Sequence, residues 1–272
     1  MLVRQLGETE VLDSLKGQPK VDWGFKAVNI PRLQKVTKGK GVKIAVMDTG
    51  IDMNHPEFKD SFKLGINMIE RTDDVTDDYG HGSHVAGLIT GKNVGVAPEA
   101  ELYVAKVLDN LGHGSIQNVL DGITFAINCN VDILCISLGI HRKPSNMVIE
   151  RIRDAYNNGI TIVSATGNNL GDVLFPANLP EVIGVGGLDK DYSMAPFTNT
   201  GEGLDVLAPA VEILSAYKDG KYARMTGTSM ASPIIAGIIA LMISRYREQG
   251  AELTPAEIKT MLISFLQHNT KI

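Results

Sequence analysis

Short apolar runs alternate along the chain with longer stretches of helical period. The first run, Val42 to Asp48, lies between Gly39-Lys40-Gly41 and Thr49-Gly50 and reads as a buried parallel strand ending on an acid. Leu102–Val107, Val131–Ser137, Thr161–Ala165, Val182–Val185 and Leu204–Ala208 repeat that pattern. Between them, helical periods open at Gly80-His81 and run over Ile116–Asn128 and Asn146–Asn158. A hairpin-like stretch around Asp219-Gly220 precedes a long apolar run, Ile234 to Ile243, that predicts a buried helix. Thr254-Pro255-Ala256-Glu257 is a capping signature for a last amphipathic helix reaching about Leu266. This alternation predicts an α/β fold: a three-layer, doubly wound, mostly parallel sheet with helices on both faces. Residues 1–20 show no sustained period and read as an N-terminal extension, leaving 21–272 as one domain.

Composition narrows the class. At 272 residues the chain can bury a sizeable single core, and 44% hydrophobic with 21% charged residues is ordinary for a globular protein. Its 28 glycines and 6% aromatics suit many tight loops. A net charge of −5 without a basic stripe argues against nucleic acid as a partner. Cys129 and Cys135 have no framework spacing, so two buried free thiols are expected. The N-terminus has no charged segment followed by an apolar one, and no run reaches the roughly 18 apolar residues of a membrane span. A cytoplasmic protein without a membrane partner is the expectation.

Three residue types then stand out in chain order. Asp48 ends the first strand, His81 opens a helix, and Ser229 lies in Gly227-Thr228-Ser229-Met230-Ala231-Ser232-Pro233 just before the apolar helix. A helix N-terminus offers unpaired N–H groups and partial positive charge, which suits either an N-capped core helix or a nucleophile. A serine nucleophile needs a base, and the base needs an orienting group, roles that histidine and a carboxylate fill. In open α/β sheets ligands bind beyond the carboxyl ends of the strands, where Asp48, Ser137 and Asn168 fall. The esterase pattern G-x-S-x-G is absent around Ser229.

Asp48-Thr49-Gly50-Ile51-Asp52, His81-Gly82-Ser83-His84-Val85-Ala86-Gly87 and the Ser229 heptapeptide resemble the three active-site signatures of the subtilisin-like serine proteases. The resemblance runs from about Val21 to the last helix and is closest in character to the intracellular members. It implies a serine endopeptidase in which Ser229 attacks, His81 acts as general base and then acid, and Asp48 orients His81. It also implies that Asn168 is the side-chain donor of the oxyanion hole, beside the Ser229 N–H. Peptide or protein substrates would add as a strand between Gly112-His113-Gly114 and Ser137-Leu138-Gly139. Ala165, Thr166 and Gly167 would wall the P1 pocket, roomy and mostly apolar, and Ile116 and Leu138 would form the P4 site. The rival readings are a dedicated leader-peptide or precursor protease, a silent peptide-binding module, and an acyl-transferring ligase.

The chain departs from secreted relatives in places. The loop Thr90–Pro98 looks shorter than their calcium-binding loop, and Glu57 stands where they tend to carry a ligand aspartate. A hard cation needs six to eight oxygens, so the strong calcium site is expected to be absent and no cofactor to be required. A weaker cation site near Ala177, Leu179, Val182 and Asp205 stays open. Residues 1–20 are too short for a large folding prodomain and suggest either a short inhibitory extension over the cleft or an arm. The chain also ends soon after the last helix, where relatives continue. His84 is expected to be a buried histidine bonded to backbone rather than a zinc ligand, and His55 a turn residue. Asp73, Asp74, Asp77 and Asp78 read as a solvated loop, with attraction for basic residues near P2 as the alternative.

Overall fold

A computed structural model describes residues 9–16, 22–140 and 145–269. The first half comprises β1 (Thr9–Leu12), α1 (Trp23–Ala27), α2 (Ile30–Leu33), β2 (Lys43–Asp48), β3 (Phe62–Asn67), α3 (His81–Thr90), β4 (Glu101–Lys106) and α4 (Ile116–Asn128). It continues with β5 (Ile133–Ile136), α5 (Asn146–Asn157), β6 (Thr161–Ala165), β7 (Val182–Leu188) and β8 (Val206–Pro209). The hairpin β9 (Ile213–Ala216) and β10 (Tyr222–Met225) then leads to α6 (Thr228–Glu248) and α7 (Pro255–Asn269).

Seven strands form one parallel sheet in the order β3-β4-β2-β5-β6-β7-β8. The period of two along β2 sends alternate side chains to opposite layers. Ile44 and Val46 join one core cluster with Val85, Leu88 and Ile89 of α3 and Ile234, Ile235 and Ile238 of α6. Ala45 and Met47 join the other, with Val119, Leu120 and Ile123 of α4 and Val148 and Ile152 of α5. Helices therefore cover both faces, and the three-layer α/β expectation holds. Strand order reverses beside β2, whose neighbours are β4 and β5, so the sheet's carboxyl edge opens a crevice there.

Helix α6 spans 21 residues and is long and apolar enough to cross a membrane by length and composition. Its unbroken apolar run is Ile234–Ile243, short of the roughly 18 residues of a span; small and polar residues such as Thr228, Ser229, Ser232 and Ser244 lie along the rest of its length. The helix is buried over nearly all of its length between the sheet, α3 and α7. Its far end is held by Arg247, whose guanidinium donates to both Asp132 oxygens at 2.5 and 3.0 Å, while Asp132 also accepts from Lys43 N. The capping box of α7 forms as its sequence predicts: Glu257 Oε2 accepts from Thr254 N at 2.8 Å, and Thr254 Oγ1 accepts from Glu257 N at 3.3 Å.

Two strands escape the sequence pattern. β3 is an edge strand with exposed Lys63 and Leu64 and buried Gly65 and Asn67, so it offers no apolar run. β1 lies in the N-terminal extension and pairs antiparallel with β10 as the third strand of a small sheet. Leu12 and Leu15 pack against Val94, Leu214 and Tyr222. Residues 9–16 are thus docked on the β9–β10 hairpin. Residues 1–8 and 17–20, and the boundary between residues 20 and 21, lie outside the described residues. Cys129 and Cys135 are free; Cys135 is buried but Cys129 is only partly so, at the end of α4.

His84 meets its expectation. It is fully buried, and its Nε2–H donates to Ile213 O at 2.9 Å and Ala223 O at 3.0 Å, tying α3 to the β9–β10 hairpin. Burial holds the ring neutral, with its pKa pushed down to about 3, and nearby His81 adds to the effect. An unfolded histidine takes a proton below about pH 6.5. The unfolded state therefore binds the extra proton between these values, and stability falls by about 1.4 kcal/mol per pH unit as pH drops below 6.5, with no further gain above it. Urea unfolding between pH 7 and 4.5 is expected to show this loss in the wild type and a shallower one in His84→Gln. Equal slopes in the two proteins would count against it.

Candidate active site

Asp48 ends β2, and Ser137 and Asn168 follow the neighbouring strands β5 and β6, at the carboxyl edge of the sheet. Helix α3 starts against the turn that follows β2. This contact is possible because Gly82 lacks a side chain: a Cβ there would lie 2.1 Å from Gly50 O. Gly82 N donates to Thr49 Oγ1 at 2.9 Å, which fixes the first turn of α3 beside Asp48. His81 Nδ1 consequently sits 2.7 and 2.8 Å from the two Asp48 oxygens, with both side chains fully buried. Asp48 Oδ1 also accepts from Thr49 N at 2.8 Å. A buried carboxylate bonded to Nδ1–H fixes the tautomer that leaves Nε2 as the basic nitrogen.

The support beneath this pair corrects the reading of the aspartate run. Asp74 and Asp78 are exposed, but Asp77 is buried. Its Oδ1 accepts from Thr49 Oγ1, Tyr79 N and Gly80 N at 2.8, 3.1 and 2.8 Å. Its Oδ2 accepts from Ser83 N and Ser83 Oγ at 2.8 and 2.7 Å. A carboxylate among the orphan amides of a helix N-terminus is stabilised by them and by the helix dipole. The spacing Asp77 to Ser83 around His81 could have signalled this; reading the run as bulk charge hid it. Buried His55 bridges Glu57 N and Lys221 O, so it caps its turn as expected.

Ser229 stands in the first turn of α6 and is 6% exposed. Its Oγ donates to Ser137 O at 3.1 Å, and Ser137 Oγ donates to Ser229 O at 3.3 Å. The second bond has a clear origin. Pro233, four residues on, has no N–H to give the Ser229 carbonyl, so that carbonyl is open to another donor. Ser137 Oγ also shares a 2.8 Å hydrogen bond with Ser232 Oγ, and Cys135 Sγ lies 3.8 Å from it. Burial raises the Cys135 thiol to about 12, so it takes part as a neutral neighbour. Among the proposed substrate residues, Ser137 thus turns its side chain inward and offers its main chain.

Asn168 faces the same helix start. Its Oδ1 accepts from Thr228 N and Thr228 Oγ1, each at 2.8 Å. Nδ2 lies over Gly227, where a Cβ would come within 3.1 Å of it. The loop is braced by buried Asn199, which sequence reading missed. Asn199 Oδ1 accepts from Asn169 N and Gly171 N at 2.9 and 3.1 Å, and its Nδ2 donates to Asp172 O. Gly167 N donates to Thr228 Oγ1 at 3.2 Å, and Thr166 is buried with Ala165. On the far side, Asp109 closes the turn holding Gly112, exposed His113 and Gly114 through bonds to Leu111 N and His113 N. Leu138 is buried and Ile116 packs partly buried in the α4–α5 cluster.

The acidic residues considered for cations have partners within the chain. Both Glu57 oxygens are taken, by Asn93 N at 2.6 Å, Asn93 Nδ2 at 2.9 Å and Tyr222 Oη at 2.8 Å. Asp205 lies 2.8 Å from the Lys259 ammonium, which also donates to Val182 O at 2.9 Å. Among the described residues no group of three or more His, Cys, Asp or Glu could hold a metal ion.

An oriented imidazole, a serine at a helix N-terminus and an asparagine bonded to the start of that helix are side chains that serine hydrolases use. The sequence pattern of the subtilase family matches residues 39–270, and the chain belongs to that family. It is 37% identical over 262 residues to the major intracellular serine protease of Bacillus subtilis (strain 168), covering 88% of this chain and 81% of that protein. Identity to the intracellular serine protease of Paenibacillus polymyxa is also 37%, covering 80% of this chain and 72% of that one. The crystal structure of a cold-adapted subtilisin-like serine proteinase superposes with a TM-score of 0.80 at 30% identity, covering 90% of this chain and 92% of that chain. The protein is a subtilisin-like serine endopeptidase.

Asp77→Ala strands five donors that the carboxylate accepts. Each stranded buried donor costs about 1–3 kcal/mol, partly recovered by water, so the unfolding free energy is expected to drop by about 3 kcal/mol or more. Urea denaturation measures it, and a drop below about 1 kcal/mol would show that the α3 N-terminus does not depend on Asp77.

Proposed function

We propose that the chain hydrolyses peptide bonds through an acyl-enzyme on Ser229. His81 Nε2 takes the hydroxyl proton as Ser229 Oγ attacks the scissile carbonyl, and later gives it to the leaving amine. Asp48 keeps His81 in the required tautomer and stabilises the imidazolium formed in between. Asn168 Nδ2 and the Ser229 N–H stabilise the oxyanion, in a site where fixed dipoles need no reorganisation. The observation that carries this reading is the buried contact of His81 Nδ1 with both Asp48 oxygens, at 2.7 and 2.8 Å. A carboxylate fixed on Nδ1 supports Nε2 as the proton acceptor.

The substrate would lie extended between the 112–114 and 137–139 segments, with P1 against Ala165, Thr166 and Gly167 and P4 near Ile116 and Leu138. Gly114 and Gly139 support this by letting a second backbone approach. No cofactor enters the scheme. The saturated Glu57 carboxylate and the Lys259 ammonium beside Asp205 support activity without calcium. The names of both bacterial relatives support work inside the cell, in the cytoplasm.

A fluorophosphonate probe is expected to label the wild type and not Ser229→Ala. Asn168→Ala should lower kcat by about 10²–10³-fold with KM little changed, the loss seen when a subtilisin is stripped of its oxyanion-hole asparagine. Undiminished labelling of Ser229→Ala, or an unaltered kcat in Asn168→Ala, would overturn these roles. EDTA is expected to leave both activity and the unfolding temperature unchanged, and a clear fall in either would restore a metal to the account.

A further inference from the structure

The two glycines that open the proposed substrate walls, Gly139 and Gly167, have a common neighbour. A Cβ at Gly139 would come within 2.6 Å of Leu174 Cδ1, and one at Gly167 within 2.8 Å of the same atom and 3.0 Å of Leu174 Cγ. One methyl group therefore touches both walls. The backbone holds it there from each side: Leu174 N donates to Thr166 O at 3.0 Å, and Ile140 N donates to Phe175 O at 2.9 Å. Val173 and Phe175 on either side are buried, whereas Leu174 is only partly so. Its isobutyl group thus stands between the 137–139 and 165–167 segments and is partly exposed.

We propose that Leu174 determines P1 specificity by filling the floor of that pocket, so that the enzyme cleaves after glycine, alanine or serine and rejects aromatic and long side chains. This rests on the acyl-enzyme reading, which puts the P1 residue beside Gly167 as its carbonyl meets Ser229 and Asn168. The sequence led to the expectation of a roomy pocket between the two walls; Leu174 lies outside both wall segments and, in this proposal, takes up that space. A lysine or arginine at P1 meets the same obstruction.

The test uses tetrapeptide substrates identical except for P1 alanine, leucine, phenylalanine or lysine. Each methylene that cannot be housed is worth about tenfold or more in kcat/KM. The wild type is expected to prefer alanine over phenylalanine by at least about tenfold, and Leu174→Gly to raise the phenylalanine value about tenfold or more while alanine changes little. Leu174→Ala should move the ratio the same way by less, which guards against a glycine variant that folds poorly. Calorimetric binding of the same peptides to Ser229→Ala and to Ser229→Ala/Leu174→Gly reads the ranking without turnover. An unchanged ranking in both assays, or a wild type that favours phenylalanine, overturns the role of Leu174. A ranking that shifts in binding with no hydrolysis by any form upholds Leu174 and sinks the acyl-enzyme reading.

Discussion

The burial of α6 is the constraint on which the rest of the structure depends. A helix that apolar must lie inside, so the sheet, α3 and α7 close around it. Its two ends must then be satisfied where they surface. Arg247 and Asp132 hold the far end. At the near end the first turn meets the carboxyl edge of the sheet, where Thr228 is met by Asn168 and Ser229 by Ser137. Pro233 opens the ladder at the carbonyl of Ser229, and the hydroxyl of Ser137 fills it. The serine is thus fixed by the demands of a buried helix end, and the chemistry proposed for it uses groups already needed for the fold.

The imidazole is positioned by the same economy of buried polar groups. Asp48 and Asp77 are both buried carboxylates, and each is matched by donors rather than by a lysine or arginine. Asp77 secures the helix that carries His81, and Asp48 secures the ring itself. His84, three residues on, anchors the same helix to the β9–β10 hairpin as a neutral donor. Loss of any of them would strand partners in the interior, which costs more than the bond itself.

Much of this was legible in the sequence because it is written locally. Buried parallel strands read as apolar runs, and the motifs around Asp48, His81 and Ser229 lie at their ends. What stayed hidden depends on contacts between distant segments. β3 is an edge strand whose buried positions are Gly65 and Asn67, so its pattern carried no apolar period. β1 is a strand only because β10 offers an edge for it. Asp77 looked like one of four solvated acids, and its role needs Thr49, which is 28 residues away. Asn199 supports the Asn168 loop from 30 residues further along the chain. Leu174 is the sharpest case: nothing in the sequence ties it to Gly139 and Gly167, and only the fold brings its Cδ1 beside both.

The central claim is that a covalent intermediate forms on Ser229. Mixing the enzyme with an activated ester of an alanine-ending peptide, quenching in acid within milliseconds and mapping the digest by mass spectrometry tests it most directly. The account predicts an added acyl mass on the fragment containing Ser229, lost again on longer incubation at neutral pH. An acyl group on another residue, or peptide hydrolysis with no adduct at any time, would contradict it.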